Sequence, residues 1–224
     1  MALHALPLRI VHLEDSANDA LLIEALLEEE FHHFTMLQVE TKDAYLQAIQ
    51  DPGLRIVLSD YSLPAYDGLA ALADLRERRP ELPFIFVSGA MGEDMAVECM
   101  KIGATDYVLK SNLKRLPSAI RRALSEMDTR LALTDAARVA KVVPWRWDDE
   151  DDTWLFGDLV RDILGYDPTV LTSTPGFLRA RIHPEDLSHF ISAFALARKR
   201  DRLDFDCRVQ HADGRWLWVR WILA

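Results

Sequence analysis

Positive charge, cysteine and long apolar runs are all scarce in this chain, and each scarcity closes off a class of function. Lys and Arg number 26 against 36 Asp and Glu, a formal net charge of -10. Nucleic-acid affinity rests mostly on neutralising phosphates with basic side chains, so direct DNA binding is not expected. The two cysteines, Cys99 and Cys207, lie far apart and suit neither a disulfide framework nor a zinc site; both are expected as buried or half-buried thiols. No apolar run reaches the roughly 18 residues that a spanning helix needs. The start, Met1-Ala-Leu-His-Ala-Leu-Pro, lacks the basic head and apolar core of a signal peptide. A cytoplasmic protein without membrane contact is therefore expected. Its 224 residues allow one large domain or two smaller ones.

What the chain does have is a repeated unit in which a short apolar run ends in a chemically capable residue. The clearest case is Arg55-Ile-Val-Leu-Ser-Asp-Tyr-Ser-Leu-Pro-Ala-Tyr-Asp-Gly68, where the run stops at Asp60 and turn formers follow. A continuous apolar run bounded by turns predicts a strand covered on both faces, as in a parallel sheet. Leu8 to Leu13 is another such run and ends in Glu14-Asp15. Helical spacing follows at Ala20, Ile23, Leu26 and Leu27, then a strand from Thr35 to Val39 and a helix capped by Thr41. Gly68 opens a helix carrying Leu69, Leu72 and Leu75. Strand Phe84 to Ser88, a helix with Met95, Val97 and Met100, and strand Tyr107 to Lys110 complete five alternations. The pattern predicts an α/β fold: a doubly wound, five-stranded parallel sheet.

Leu116 to about Val139 reads as one long helix. Ile120, Leu124, Met127, Leu131 and Thr134 fall at alternating spacings of four and three, a seam that predicts a homodimer through this linker helix. From Pro144 the composition turns to tryptophan and alternating residues. Trp145-Arg-Trp147 and Thr153 to Phe156 predict a hairpin; helices are expected at Leu159 to Leu164 and from Pro184 to Arg198, and a second hairpin pairs Leu203 to Gln210 with Trp216 to Leu223. This is an α+β domain. The expected boundaries are 1–122, a linker helix over 123–141, and 142–224.

In a parallel sheet, the residues that end strands one, three, four and five meet at one edge. These are Glu14-Asp15, Asp60, Ser88 and Lys110. Three converging carboxylates call for a cation, and a hard oxygen site suits magnesium. With a lysine and a small hydroxyl to hold the remaining oxygens, the set fits phosphoryl transfer onto a carboxylate.

These motifs carry a resemblance. Leu-Glu-Asp-Ser at 13 to 16, Leu-Ser-Asp-Tyr-Ser-Leu-Pro at 58 to 64, Phe-Val-Ser-Gly-Ala at 86 to 90 and Asp-Tyr-Val-Leu-Lys at 106 to 110 resemble the receiver domain of two-component response regulators, a flavodoxin-like fold. The resemblance implies Asp60 as phosphoacceptor, and Glu14, Asp15, Asp60 and the Ser62 main-chain carbonyl as ligands of Mg2+. It further implies Ser88 as the hydroxyl that moves onto the phosphoryl group, Lys110 as its ion-pair partner, and Tyr107 as the aromatic that rotates with state. The implied partner is a histidine kinase or phosphotransfer protein. One departure is that Ser111 stands where receivers carry a proline after the lysine.

The second segment resembles a PAS sensory domain through Trp-x-Trp-Asp at 145 to 148, Leu-Gly-Tyr at 164 to 166, His-Pro-Glu-Asp at 183 to 186 and Asp-Gly-x-x-Trp-x from 213. The family's fifth strand would lie beyond Ala224, so the segment is expected to be incomplete and to precede further domains. No residue identifies a PAS ligand. His183 reads as part of a helix start rather than a metal ligand, and Cys207 stands on a strand rather than where flavin-binding PAS domains carry a reactive thiol. No kinase histidine motif and no cyclase motif is present, so the chain is expected to be a signalling protein rather than an enzyme. The alternatives are the regulatory front end of a longer sensor histidine kinase or diguanylate cyclase, and an interaction scaffold that never takes phosphate.

Overall fold

The computed structural model describes residues 7–64, 66–89, 93–148, 153–173, 176–197 and 203–223. Contacts divide the chain into two units, Met1–Ala132 and Leu133–Ala224.

In the first unit, five strands alternate with helices: β1 (Leu8–Leu13), α1 (Ala17–Glu30), β2 (Phe34–Val39), α2 (Lys42–Ala48), β3 (Leu54–Ser59), α3 (Gly68–Arg78), β4 (Phe84–Ser88), α4 (Glu93–Lys101) and β5 (Asp106–Leu109). The strands form one sheet in the order β2-β1-β3-β4-β5, with every pairing parallel. The central strands are apolar at nearly every position because both of their faces are covered. On one face Val57, Phe84 and Phe86 pack with Tyr45 and Ile49 from around α2 and with Leu72 and Leu75 of α3. On the other, Ile56, Leu58, Ile85 and Val87 meet Ile23 and Leu27 of α1 and Ile120 of the long helix. The side-chain period of two in β3 and β4 thus feeds two separate cores.

The helix starts follow capping chemistry. Ser16, Thr41 and Asp67 accept the backbone N–H of Asp19, Ala44 and Ala70 at the heads of α1, α2 and α3. After β5 the chain makes a 3-10 turn, Lys110–Arg115, and then α5, Leu116–Val139.

Two expectations for the first unit require correction. Along α4, Val97 and Met100 are exposed, and among the described side chains it is Cys99 that is buried in the core. In α5, Ile120, Ala123 and Met127 are buried in the first unit's own core and Leu124 packs beside them. The seam read at Ile120, Leu124 and Met127 is therefore intramolecular, and it is Leu131, Leu133 and Val139 that stand exposed.

The second unit holds two antiparallel hairpins, β6 (Trp145–Asp148) with β7 (Thr153–Phe156) and β8 (Leu203–Gln210) with β9 (Trp216–Leu223). Its helices are α6 (Leu159–Leu164), α7 (Pro168–Ser173) and α8 (Leu187–Ala197). The core is aromatic: Trp154, Phe190, Phe194, Phe205 and Trp221 are buried together, and Trp221 donates its indole N–H to Cys207 Sγ at 3.2 Å. Helix α7 has one described buried residue, Leu171, so it left no periodic signal in the sequence. Helix α8 begins three residues later than expected. His-Pro-Glu-Asp forms the preceding turn, where the Asp186 carboxylate is taken by the Arg208 side chain at 2.8 Å. That contact holds the Asp186 carboxyl far below the usual range.

Candidate functional site at the carboxyl edge of the first sheet

β1 delivers Glu14, which is fully buried. Its N–H pairs with Val39 O at 3.1 Å and its Oε1 accepts the Ser16 N–H at 3.0 Å, so both chain and side chain are fixed. β3 delivers Asp60, almost buried, whose N–H reaches Leu13 O at 2.9 Å and whose Oδ1 accepts the Ser62 N–H at 3.1 Å. The head of α3 presses against the same backbone. A Cβ at Gly68 would lie 2.5 Å from Asp60 O and 2.7 Å from Phe86 Cε1, so only glycine permits this approach.

Lys110, directly after β5, draws these groups together. Its Nζ lies 2.7 Å from Glu14 Oε2, 2.7 Å from Asp60 Oδ2 and 2.6 Å from Asp19 Oδ2. An ammonium has three N–H donors, and all three are engaged. Burial by itself lowers the affinity of Lys110 for its proton. The hydrogen bonds from Asp19, Asp60 and Glu14 outweigh it and hold the ammonium well above the ordinary lysine value. Burial raises the Glu14 carboxyl despite its bonds to Lys110 and to the Ser16 N–H.

Ser88 ends β4 and is buried. Tyr107, half-buried on β5, pairs in register with Phe86. The Arg115 guanidinium lies 5.7 Å from the Tyr107 ring centroid, donates to Tyr107 O at 2.8 Å and pairs with the buried Asp106 carboxylate at 2.9 Å. Arg122 of α5 also bonds to Asp106.

The structure therefore brings Glu14, Asp60 and Lys110 into direct contact and sets Ser88 and Tyr107 on the adjoining strands. Asp15 and Ser62 stand beside them, exposed, and the Lys110 ammonium pairs with Glu14, Asp19 and Asp60 rather than with Asp15. Among the described residues no three His, Cys, Asp or Glu side chains are disposed to hold a metal ion. The carboxylates converge on the Lys110 ammonium instead. Three carboxylates around one ammonium leave two negative charges uncompensated, with Asp15 next in sequence. This excess, built only of oxygen donors, fits a hard divalent cation.

Two residues escaped the sequence reading. Asp19 looked like an ordinary acid in the first turn of a helix. Helical Cβ atoms tilt towards the N-terminus, however, and α1 begins just past Glu14-Asp15, so a first-turn side chain leans back over the strand end. His12 is the polar residue within the apolar run Ile10 to Leu13 of β1. It is fully buried, with neither ring nitrogen hydrogen-bonded among the described residues and Nε2 3.9 Å from Glu14 Oε2. Burial, with Lys110 adding to it, lowers its pKa to about 4, so the ring is neutral.

Comparison with known proteins agrees with this fold. Residues 10–121 match the response regulator receiver domain family and residues 154–224 match the PAS fold. The response regulator protein FleR of Pseudomonas aeruginosa is 32% identical over 133 residues, covering 56% of this chain and 26% of FleR. The transcriptional regulatory protein FixJ of Bradyrhizobium diazoefficiens is 29% identical over 117 residues, covering 50% of this chain and 57% of FixJ. Among solved structures, NtrX from Brucella abortus superposes with a TM-score of 0.54 at 26% identity, over 59% of this chain and 30% of NtrX. A CheY-like receiver domain protein from Methanospirillum hungatei gives 0.50 at 24% identity, over 56% of this chain and 99% of its own. The chain thus spans about a quarter of FleR and little more than half of FixJ. It belongs to the response regulator receiver domain family, with a PAS-fold segment following the receiver.

Proposed function

We propose that this protein accepts a phosphoryl group on Asp60 from a histidine kinase or phosphotransfer protein and passes the resulting change through α5 to the PAS segment. The observation that carries this reading is the Lys110 ammonium, which reaches from the end of β5 to both Glu14 and Asp60 at the ends of the neighbouring strands β1 and β3. Glu14, Asp15, Asp60 and the Ser62 carbonyl would hold Mg2+, which supplies charge neutralisation on the phosphoryl oxygens. Asp60 supplies the nucleophilic oxygen, held by the Ser62 N–H. Lys110 takes up negative charge that develops on the transferring group. Ser88 offers its hydroxyl to the phosphoryl oxygens.

Tyr107 carries the state outward. Its inward rotation would give up the Arg115 contact, and Arg115 immediately precedes α5. Such switches shift an existing equilibrium of a few kcal/mol. A homodimer would use the exposed apolar residues of α5 from Leu131 onward.

Beryllofluoride, a phosphoryl mimic, tests the site. Fluorine NMR should show a bound species that requires magnesium and disappears in Asp60→Asn and in Lys110→Ala. A bound species that persists in Asp60→Asn would refute the assignment.

A further inference from the structure

The strand-end carboxylates have assigned roles at the Lys110 ammonium; Asp19 does not. We infer that Asp19 is a positioning residue for phosphoryl acceptance, acting through Lys110: it holds the third N–H of the ammonium and yields it to the incoming phosphoryl group. This inference rests on Asp60 being the phosphoacceptor.

All three N–H groups of Lys110 are engaged at 2.6 to 2.7 Å, so a phosphoryl oxygen can bind the lysine only by displacing a carboxylate. The three are not equally replaceable. Glu14 is fully buried and its other oxygen is held by the Ser16 N–H, so it cannot swing out to water. Asp60 is the acceptor itself: its oxygen forms the new bond to phosphorus, the bond from phosphorus to the donor breaks, and the donor's leaving group departs with that electron pair. Asp19 has a side chain 37% exposed and stands in the first turn of α1, where water can replace the Lys110 contact. It is the group that leaves at least cost.

Two consequences of opposite sign follow. The Asp19 charge supports cation binding at an oxygen-lined edge, and it opposes the approach of an anionic phosphodonor while occupying the lysine that must receive it. Asp19→Asn should therefore weaken the response to Mg2+ and, at saturating Mg2+, speed acceptance. The increase should be about two- to tenfold, the scale of one surface charge acting over several Å. A loss of packing would not move the two readouts in opposite directions. The fold should survive, because the bond to the Ser16 cap comes from the Asp19 backbone N–H.

The experiment uses the full chain with acetyl phosphate as donor, following adduct formation by intact mass for wild type, Asp19→Asn and Asp19→Glu across a magnesium series. The inference predicts a faster second-order rate and a higher magnesium half-saturation in Asp19→Asn, with Asp19→Glu moving both back towards wild type. A wild-type protein that forms the adduct while Asp19→Asn forms it no faster overturns the inference alone. No adduct in any of the three overturns it together with the phosphoacceptor reading.

Discussion

Gly68 shows at the scale of one residue how backbone and chemistry meet. The added methyl group of Gly68→Ala would fall 2.5 Å from Asp60 O, a backbone atom that a rotamer change cannot move. Such overpacking costs about 1–3 kcal/mol. The strain falls on the residue that carries the carboxylate, so acceptance of phosphate should slow along with the loss of stability. Urea unfolding combined with the acetyl phosphate reaction checks both; an unstrained variant with normal acceptance would contradict this account. Asp60, Glu14 and Lys110 were legible in the sequence because each ends an apolar run, and the topology of a parallel sheet brings run ends together. Asp19 was not, since its role depends on where a helical side chain leans. His12 was not either: one polar residue in an otherwise apolar run does not declare whether it faces water or a charged site.

Among the elements, α5 is the one whose limits were legible and whose partners were not. Its span, Leu116–Val139, follows from the absence of breakers, whereas a four-three spacing of apolar residues serves an intramolecular core and a coiled coil equally well. The burial of Ala123 and Met127 shows which core the first turns serve. A chain ended after residue 122 should therefore be less stable than one ended after residue 132 by about 2–5 kcal/mol, the cost of removing a large buried side chain such as Met127. Equal urea midpoints for the two would show that these turns do not support the first unit. Helix α7 went unread, and the start of α8 was placed three residues early, for a related reason. Short helices beside proline carry too few buried positions to set a period, and the turn before α8 is held by the Arg208–Asp186 pair, a contact between residues 22 apart.

At the scale of the whole molecule, the six tryptophans all lie at or beyond Trp145, so their fluorescence reports on the second unit alone. Under the proposed function, beryllofluoride with magnesium would bind at the other unit. If α5 carries the signal, their addition should shift the tryptophan-reported unfolding midpoint in wild type and leave Asp60→Asn unchanged; an unshifted midpoint in wild type would separate the receiver from the PAS segment energetically.

Whether Asp60 takes a phosphoryl group is decided by intact mass after incubation with magnesium and acetyl phosphate. The expectation is a single phosphoryl adduct, lost in Asp60→Asn and on removal of magnesium. A folded wild-type protein that gains no adduct, or an adduct that survives in Asp60→Asn, would contradict it.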